Sequence, residues 1–348
     1  MRVAPTSVLA VPLLAGTALA GCGGETASPT TPPTLATSDA AVAACSAEET
    51  ANCARFQSCY ANDLAGQYGT VANCETRRQV SCLAGLAATG TAATPSDVTS
   101  CAVATASESC ESLLYGDPTP TACQSPAGSG AIGSGCSANA QCASAYCAVP
   151  IASACGTCQS PPTAGSSCAN LVSCGKNLAC YEGACVVRGA SGDPCKASAP
   201  CATELGCVIP AGATGGTCQA EASPLGAACV PRNDVANGAG CDITQGLHCV
   251  YNSENVGTCQ SVTTATAGQS CNSVVHLASE LTYTVCIETS ECMLQADGSQ
   301  LCVARAADNA VCNTVTGPAC MPPARCIGTG LDGGATGKCV LPGVASCR

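Results

Sequence analysis

Tryptophan is absent from this chain of 348 residues, and phenylalanine occurs once, at Phe56. Aromatic residues make up 2% of the chain and charged residues 10%. The hydrophobic fraction is mostly Ala, Val and Cys, which bury little area each. A large apolar core is therefore not expected, and small modules without one need staples. Lys and Arg number only 12 against 23 Asp and Glu, for a net charge of −11. Such a chain lacks the basic footprint of a nucleic-acid binder and any polybasic patch for anionic lipid. The two histidines, His248 and His276, offer little for a Ser–His–Asp triad, and no Gly-x-Ser-x-Gly elbow is present. There is no P-loop or dinucleotide fingerprint, so no cofactor is expected.

Cysteine is what the chain has in excess: 35 residues, about one in ten. That density marks a disulfide scaffold, and disulfides persist outside the reducing cytosol. The N-terminus agrees. Met1-Arg2 precedes an apolar run from Val8 to Ala20, broken by Pro12 and too short to span a bilayer. It ends in Leu19-Ala20-Gly21-Cys22, which resembles a bacterial lipoprotein signal with its lipobox. The resemblance implies cleavage before Cys22 and acylation of its thiol and amine. Several acyl chains anchor firmly where one does not. Ordinary secretion with Cys22 in a disulfide is the alternative. Without Cys22 an even 34 cysteines remain, the parity expected if all pair.

Residues 1–21 thus read as a signal peptide, and 22–38 as a Pro/Thr-rich tether holding the folded part off the membrane. The acid-free position after Cys22 resembles outer-membrane sorting in diderm lipoproteins, so the expected place is the cell envelope, at the outer membrane or cell surface. Residues 39–123 form a different domain, with Cys45, Cys53, Cys59, Cys74, Cys82, Cys101, Cys110 and Cys123. Its Ala-, Leu- and Arg-containing runs favour helix. The expectation is a disulfide-stapled bundle of three helices, at 39–64, 70–84 and 95–115. Ser46-x-x-Glu49 fits a capping box, and Thr94-Pro95-Ser96-Asp97 puts Pro first and an acid third in a helix. Gly66, Gly85 and Gly116, with Pro118, fall where helices could stop. Cys45 and Cys53 are eight apart, as are Cys74 and Cys82, so each pair points one way; Cys101 and Cys110, nine apart, would face opposite sides of one helix. Arg77 and Arg78 beside Glu75 are read as a solvated helix face with local ion pairing, with an anion site as the functional alternative.

After a Ser/Gly/Ala linker at 124–132, residues 133–348 read as a repeat array of about six units. The openings are Gly133-x-x-Cys136, Gly165-x-x-Cys168, Gly192-x-x-Cys195, Gly226-x-x-Cys229, Gly268-x-x-Cys271 and Asn309-x-x-Cys312, spaced 27 to 42 residues apart. Each is followed by further cysteines: Cys142, Cys147, Cys155 and Cys158; Cys174, Cys180 and Cys185; Cys201, Cys207 and Cys218; Cys241, Cys249 and Cys259; Cys286, Cys292 and Cys302; Cys320, Cys326 and Cys339. β-formers flanking Gly/Asn/Asp-rich turns, as in Cys180-Tyr-Glu-Gly-Ala-Cys185, read as hairpins. The fold class is therefore small and disulfide-rich: an N-terminal α-helical Cys-rich bundle, then an array of short stapled β-hairpins. The expected pairing is first to third and second to fourth, tying the opening loop to both strands; direct cross-strand bonding is also sterically open. The first unit has one cysteine too many and Cys347 stands alone. Either those two pair and close the array, or the register shifts between units.

The spacing Cys136-x5-Cys142-x4-Cys147-x7-Cys155-x2-Cys158, followed by Gly165-x2-Cys168, resembles the Dickkopf N-terminal cysteine-rich domain. A similar pattern occurs in Cys-rich bacterial lipoproteins with several such units behind an Ala-rich helical region. The animal proteins are secreted receptor-binding modulators, but no contact residue of theirs is matched here.

Other chemistry is weakly signalled. Cys155-x-x-Cys158 lacks the following helix that a redox motif needs, and a zinc site needs a second such pair. Asp297 and Asp332 are turn formers, with too few neighbouring oxygens for calcium. The seven tyrosines read as filler against disulfides, with Tyr181 and Tyr251 near hairpin turns. The function expected is that of a non-enzymatic, lipid-anchored envelope protein that binds a protein or envelope partner or builds envelope architecture, and touches the membrane only through its lipid. A protease inhibitor or decoy is the first alternative, and a redox or metal-dependent enzyme the second.

Overall fold

The computed structural model describes residues 38–115, 119–150, 153, 155–168, 174, 178–196, 201–202, 205–209, 213–220, 224–229, 241–242, 245–251, 257–272, 284–328, 336–341 and 347. His248, Cys249 and Tyr251 are described in backbone only. The signal, Cys22 and nearly all of the tether lie outside these residues, as do Gly116, Pro118, His276 and Asp332. The described residues fall in one compact unit.

The N-terminal region is helical. Ser38 caps α1 (Asp39–Cys59), its hydroxyl accepting from the Ala41 amide at 3.2 Å. There follow α2 (Ala61–Tyr68), α3 (Val71–Ala87), α4 (Pro95–Thr105) and α5 (Cys110–Tyr115). Cys45–Cys82 and Cys53–Cys74 staple α1 to α3, each helix contributing two cysteines eight residues apart. Around the second bridge, Leu64 and Tyr68 are buried, with Phe56 and Val71 packed alongside. This is a core of a few side chains and a disulfide, as the scarcity of large apolar residues requires.

Two expected helices are broken in the structure. The 39–64 helix ends at Cys59, and Tyr60 turns the chain with φ −144° and ψ 57°. The Cys59–Cys110 bridge and the bond from the Tyr60 hydroxyl to the Cys110 carbonyl, at 2.6 Å, hold that corner. The 95–115 helix breaks after Thr105. Arg55 of α1 takes the Glu108 carbonyl at 2.6 Å, and the Ser109 hydroxyl accepts from the Ser112 amide at the head of α5. Cys101 and Cys110 therefore sit on separate helices, with Cys101 bonded to Cys123. Thr94 caps α4 in a reciprocal box with Asp97, with Pro95 first in the helix. Ser46 and Glu49, by contrast, lie inside α1. Gly85 lies within α3. Gly66 lies within α2, which stops at Gly69, where φ is +77°.

The cysteine-rich region is built of short, mostly antiparallel strands. The first sheet joins β1 (Gly135–Cys136), β2 (Cys147–Ala148) and β3 (Gly156–Cys158) in the order β1-β3-β2. Next comes the hairpin β4 (Leu178–Tyr181) and β5 (Ala184–Val187). Then β6 (Pro194–Cys195), β7 (Leu205–Val208) and β8 (Gly216–Ala220) repeat the first order as β6-β8-β7. So do β9 (Ala228–Cys229), β10 (Leu247–Tyr251) and β11 (Gly257–Ser261), as β10-β11-β9. A parallel pair, β12 (Thr263–Ala265) with β13 (Thr284–Cys286), precedes the hairpin β14 (Ser290–Leu294) and β15 (Gln300–Ala304). The last sheet is β16 (Val311–Asn313), β17 (Arg325–Gly328) and β18 (Thr336–Val340), ordered β16-β18-β17.

All six openings are the same turn. In the first, Ser134 donates to the Ala131 carbonyl at 3.0 Å, and Gly133 has φ +91° at the third position, where a type II turn requires positive φ. The Gly133 amide then bonds the Cys158 carbonyl at 2.9 Å, and the Cys158 amide returns to the Ser134 carbonyl at 2.8 Å. The sixth opening uses Asn309 at φ +64°, bonded in the same way to Cys339. The opening glycine thus fixes the loop onto the last strand of its own unit. The stretch 124–132 is tied down too: Gly128 and Gly130 donate to the Cys142 and Gln141 carbonyls at 2.8 and 2.7 Å.

Candidate functional site

In every hairpin the third and fourth cysteines of the unit, with Cys155 left out of the first unit's count, lie directly opposite each other: Cys147 and Cys158, Cys180 and Cys185, Cys207 and Cys218, Cys249 and Cys259, Cys292 and Cys302, Cys326 and Cys339. Opposed residues point to one face of the sheet, where the opening loop lies. First-to-third bonds are Cys136–Cys147, Cys168–Cys180, Cys195–Cys207, Cys271–Cys292 and Cys312–Cys326. Second-to-fourth bonds are Cys142–Cys158, Cys174–Cys185, Cys201–Cys218, Cys241–Cys259, Cys286–Cys302 and Cys320–Cys339. Cys229 is disulfide-bonded as well. These bonds clamp the loop onto both strands rather than joining the strands to each other. The two leftover cysteines form Cys155–Cys347, across 192 residues.

The crossed bridges bring three sulfurs of a unit within 4.8 Å, as for Cys136, Cys142 and Cys147, or Cys195, Cys201 and Cys218. That is metal-ligand spacing, but each sulfur is spent in a disulfide and none can present a thiolate. The clusters are the cores of the units: Cys136, Cys142 and Cys158 are fully buried. Cys155-x-x-Cys158 is likewise divided between two bridges. Tyr68 packs against the Cys53–Cys74 bridge, while half-buried Tyr181 bonds Glu182 at a hairpin turn.

The arginine pair departs from the sequence expectation of a solvated face with local pairing. The Arg77 guanidinium makes two parallel bonds to Asp308, at 2.6 and 2.7 Å, and donates to the Met321 and Pro322 carbonyls at 2.9 Å. It thereby fastens α3 to the sixth unit. Arg78 turns the other way and bonds buried Glu49 at 2.6 Å. Burial works against the Arg78 charge, but Glu49 and the Tyr68 hydroxyl outweigh it and hold its pKa above the ordinary value. Both guanidinia are occupied by carboxylates, which leaves the anion-site alternative without a vacant cation.

A second contact lies beside the first. Gly66 of α2 meets the fifth unit so closely that a Cβ there would sit 2.6 Å from the Cys286 carbonyl oxygen. The Thr289 amide donates to the Ala65 carbonyl at 3.0 Å, and Arg305 donates to Gly66 at 3.2 Å. These donors meet the C-terminal carbonyls of α2, where a helix favours positive charge. Arg305 also pairs with Glu291 at 2.9 Å and reaches the Cys320 carbonyl at 3.1 Å, linking the fifth unit to the sixth. Glu288 and Thr289 both have positive φ, 56° and 55°, a costly state for a β-branched residue. At the other end of the array, Gln141 donates to the Thr89 carbonyl at 2.9 Å and Ala92 to Ala140 at 2.9 Å. The helical region thus holds the first, fifth and sixth units at once.

Asp308, Arg305 and Thr289 carried no sequence signal, because their partners in the helical region lie more than 200 residues away. On α1, half-buried Glu48 has its pKa pushed up to about 7, first by burial and then by the charge on Glu49, with Arg78 pulling the other way. Among the described residues, no helix is long and apolar enough to cross a membrane. Neither family models nor curated proteins nor solved structures give a match to this chain.

Proposed function

We propose that this is a lipid-anchored protein of the cell envelope, without enzymatic activity, whose cysteine-rich array binds a protein or envelope partner or builds envelope architecture. On this reading Cys22 carries the lipid, residues 23–38 are the spacer, and the six cysteine quartets are copies of one unit resembling the Dickkopf N-terminal cysteine-rich domain. The observation that carries the reading is the crossed bridging of loop to hairpin. It commits cysteine sulfur to structure and leaves hairpin turns of unequal length as the variable part of a rigid frame, an arrangement suited to contact rather than chemistry.

Two measurements test it. In a diderm host, labelled palmitate is expected in the wild-type chain and absent from Cys22→Ser, which no longer fractionates with membranes. Retained label and fractionation would sink the anchoring. A pull-down from surface-labelled cells is expected to recover an envelope protein with the chain from residue 23 onward. The helical region belongs in that bait because it holds the array at three units. Recovery of an uncut protease would instead favour an inhibitor.

A further inference from the structure

We propose that Cys155–Cys347 is a thiol-addressable clasp: an exogenous dithiol opens it ahead of the unit bridges and parts Cys347 from the first unit while the units stay folded. The bridge differs from the unit bridges in two ways. First, it staples no unit. Both residues are only half-buried and belong to no buried sulfur cluster. In the second-to-fourth bridges, both residues are between 0% and 8% exposed. In the first-to-third bridges, the first cysteine is buried even where the third is exposed, as with Cys168 at 2% opposite Cys180. Attack on the outer sulfur there would expel a thiolate into an apolar core, which raises its pKa and slows its departure. At Cys155–Cys347 neither residue is buried, so neither thiolate would be expelled into a unit core.

Second, it joins segments 192 residues apart, so opening it alters a long-range connection and no local turn. Among the described residues the other bridge with both residues half-buried, Cys101–Cys123, spans 22 residues and has the Thr105 hydroxyl 3.8 and 3.7 Å from its sulfurs. Its halves stay neighbours after opening and reclose readily, since closure cost grows with the length of the loop.

The chemistry balances with a dithiol as reductant. One thiolate attacks the sulfur of Cys155 or Cys347, the S–S bond breaks, and the partner leaves as a thiolate that takes up a proton. The second thiol of the reagent then displaces the remaining cysteine. The protein gains two electrons and two protons, and the dithiol becomes a cyclic disulfide. After opening, Arg77–Asp308 and the Arg305 bonds still hold the fifth and sixth units, so the release is graded.

The test is a titration of the oxidised full chain with dithiothreitol under native conditions, trapping thiols by alkylation and mapping them by mass. Cys155 and Cys347 are expected to label together at a dithiol concentration at least about tenfold below that needed for Cys142, Cys158, Cys320 or Cys339, with the far-UV spectrum unchanged. Labelling of any unit cysteine, or of Cys101 and Cys123, at the same or lower concentration overturns the proposal. The double variant Cys155→Ser with Cys347→Ser separates a clasp from a folding staple. It is expected to keep every other bridge. A scrambled disulfide map in that variant also overturns the proposal.

Discussion

Replacing Arg77 by Ala should loosen the array from the helices without touching a single disulfide. The guanidinium is 18% exposed and its Asp308 partner 28%, so the pair is shielded but not dry. Four charge-assisted bonds are lost: two to Asp308 and one each to Met321 and Pro322. Hydrogen bonds to charged groups are worth about 1.5–3 kcal/mol net apiece, but these four share one guanidinium and the freed Asp308 carboxylate would be resolvated. The expected net cost is therefore about 2–4 kcal/mol, not the sum. Asp308→Ala removes only the fork and leaves both carbonyl bonds, so about 1–2 kcal/mol is expected there. A multi-unit, disulfide-linked chain need not melt in one step, so a melting temperature is a poor readout. Hydrogen exchange is better. The Thr289 amide, bonded to Ala65 across the contact, reports its opening. Its exchange should accelerate roughly 30- to 1000-fold in Arg77→Ala and about tenfold in Asp308→Ala, since each 1.4 kcal/mol is a factor of ten. Unchanged exchange in Arg77→Ala, or equal effects of the two variants, would refute the reasoning.

Three further outcomes follow from local geometry. Glu48 binds its proton more tightly in the folded state, with its pKa pushed up to about 7 against an ordinary 4.5. Both states hold the proton below the lower value and both lose it above the higher one, so stability falls as pH rises between them. The loss is about 1–3 kcal/mol after discounting for the half-exposed carboxyl. Guanidinium unfolding of the helical signal between about pH 5 and pH 8 should show it, and Glu48→Gln should flatten it and be the more stable form at the upper end. Gly192→Ala places a Cβ at φ +87°, which costs about 1–2 kcal/mol, and should make Cys195–Cys207 reducible at lower thiol concentration. Asn309→Gly, at a position already left-handed, should leave Cys312–Cys326 within a few tenths of a kcal/mol of its former resistance.

What was legible in the sequence was local. Thr94-Pro95-Ser96-Asp97 reads as a helix start because every group that makes the cap lies within four residues. The opening glycines read as turns for the same reason. Ser46-x-x-Glu49 has the same pattern and is no cap: helix already runs through it from Ser38, and the Glu49 carboxylate is taken by Arg78. Gly66 looked like a helix end, yet it is a glycine because the Cys286 carbonyl comes too close for a side chain. The breaks at Tyr60 and after Thr105 answer to Cys110 and Arg55, partners that no short window contains.

Composition by itself determined that sulfur, not apolar area, would hold this chain. With so few large side chains, loop closures worth about 3 kcal/mol per bridge must offset the chain entropy. Spacing by itself determined where turns and hairpins fall, because those answer to φ and to neighbours a few residues away. Only the tertiary structure decided which sulfurs pair. Opposed cysteines on a hairpin are equally well placed to bond each other, and it is the loop folded over the same face that captures both. Only the tertiary structure, too, brought Arg77 to Asp308 and Cys155 to Cys347. Contacts across some 200 residues depend on how six units stack, and no single unit carries that information.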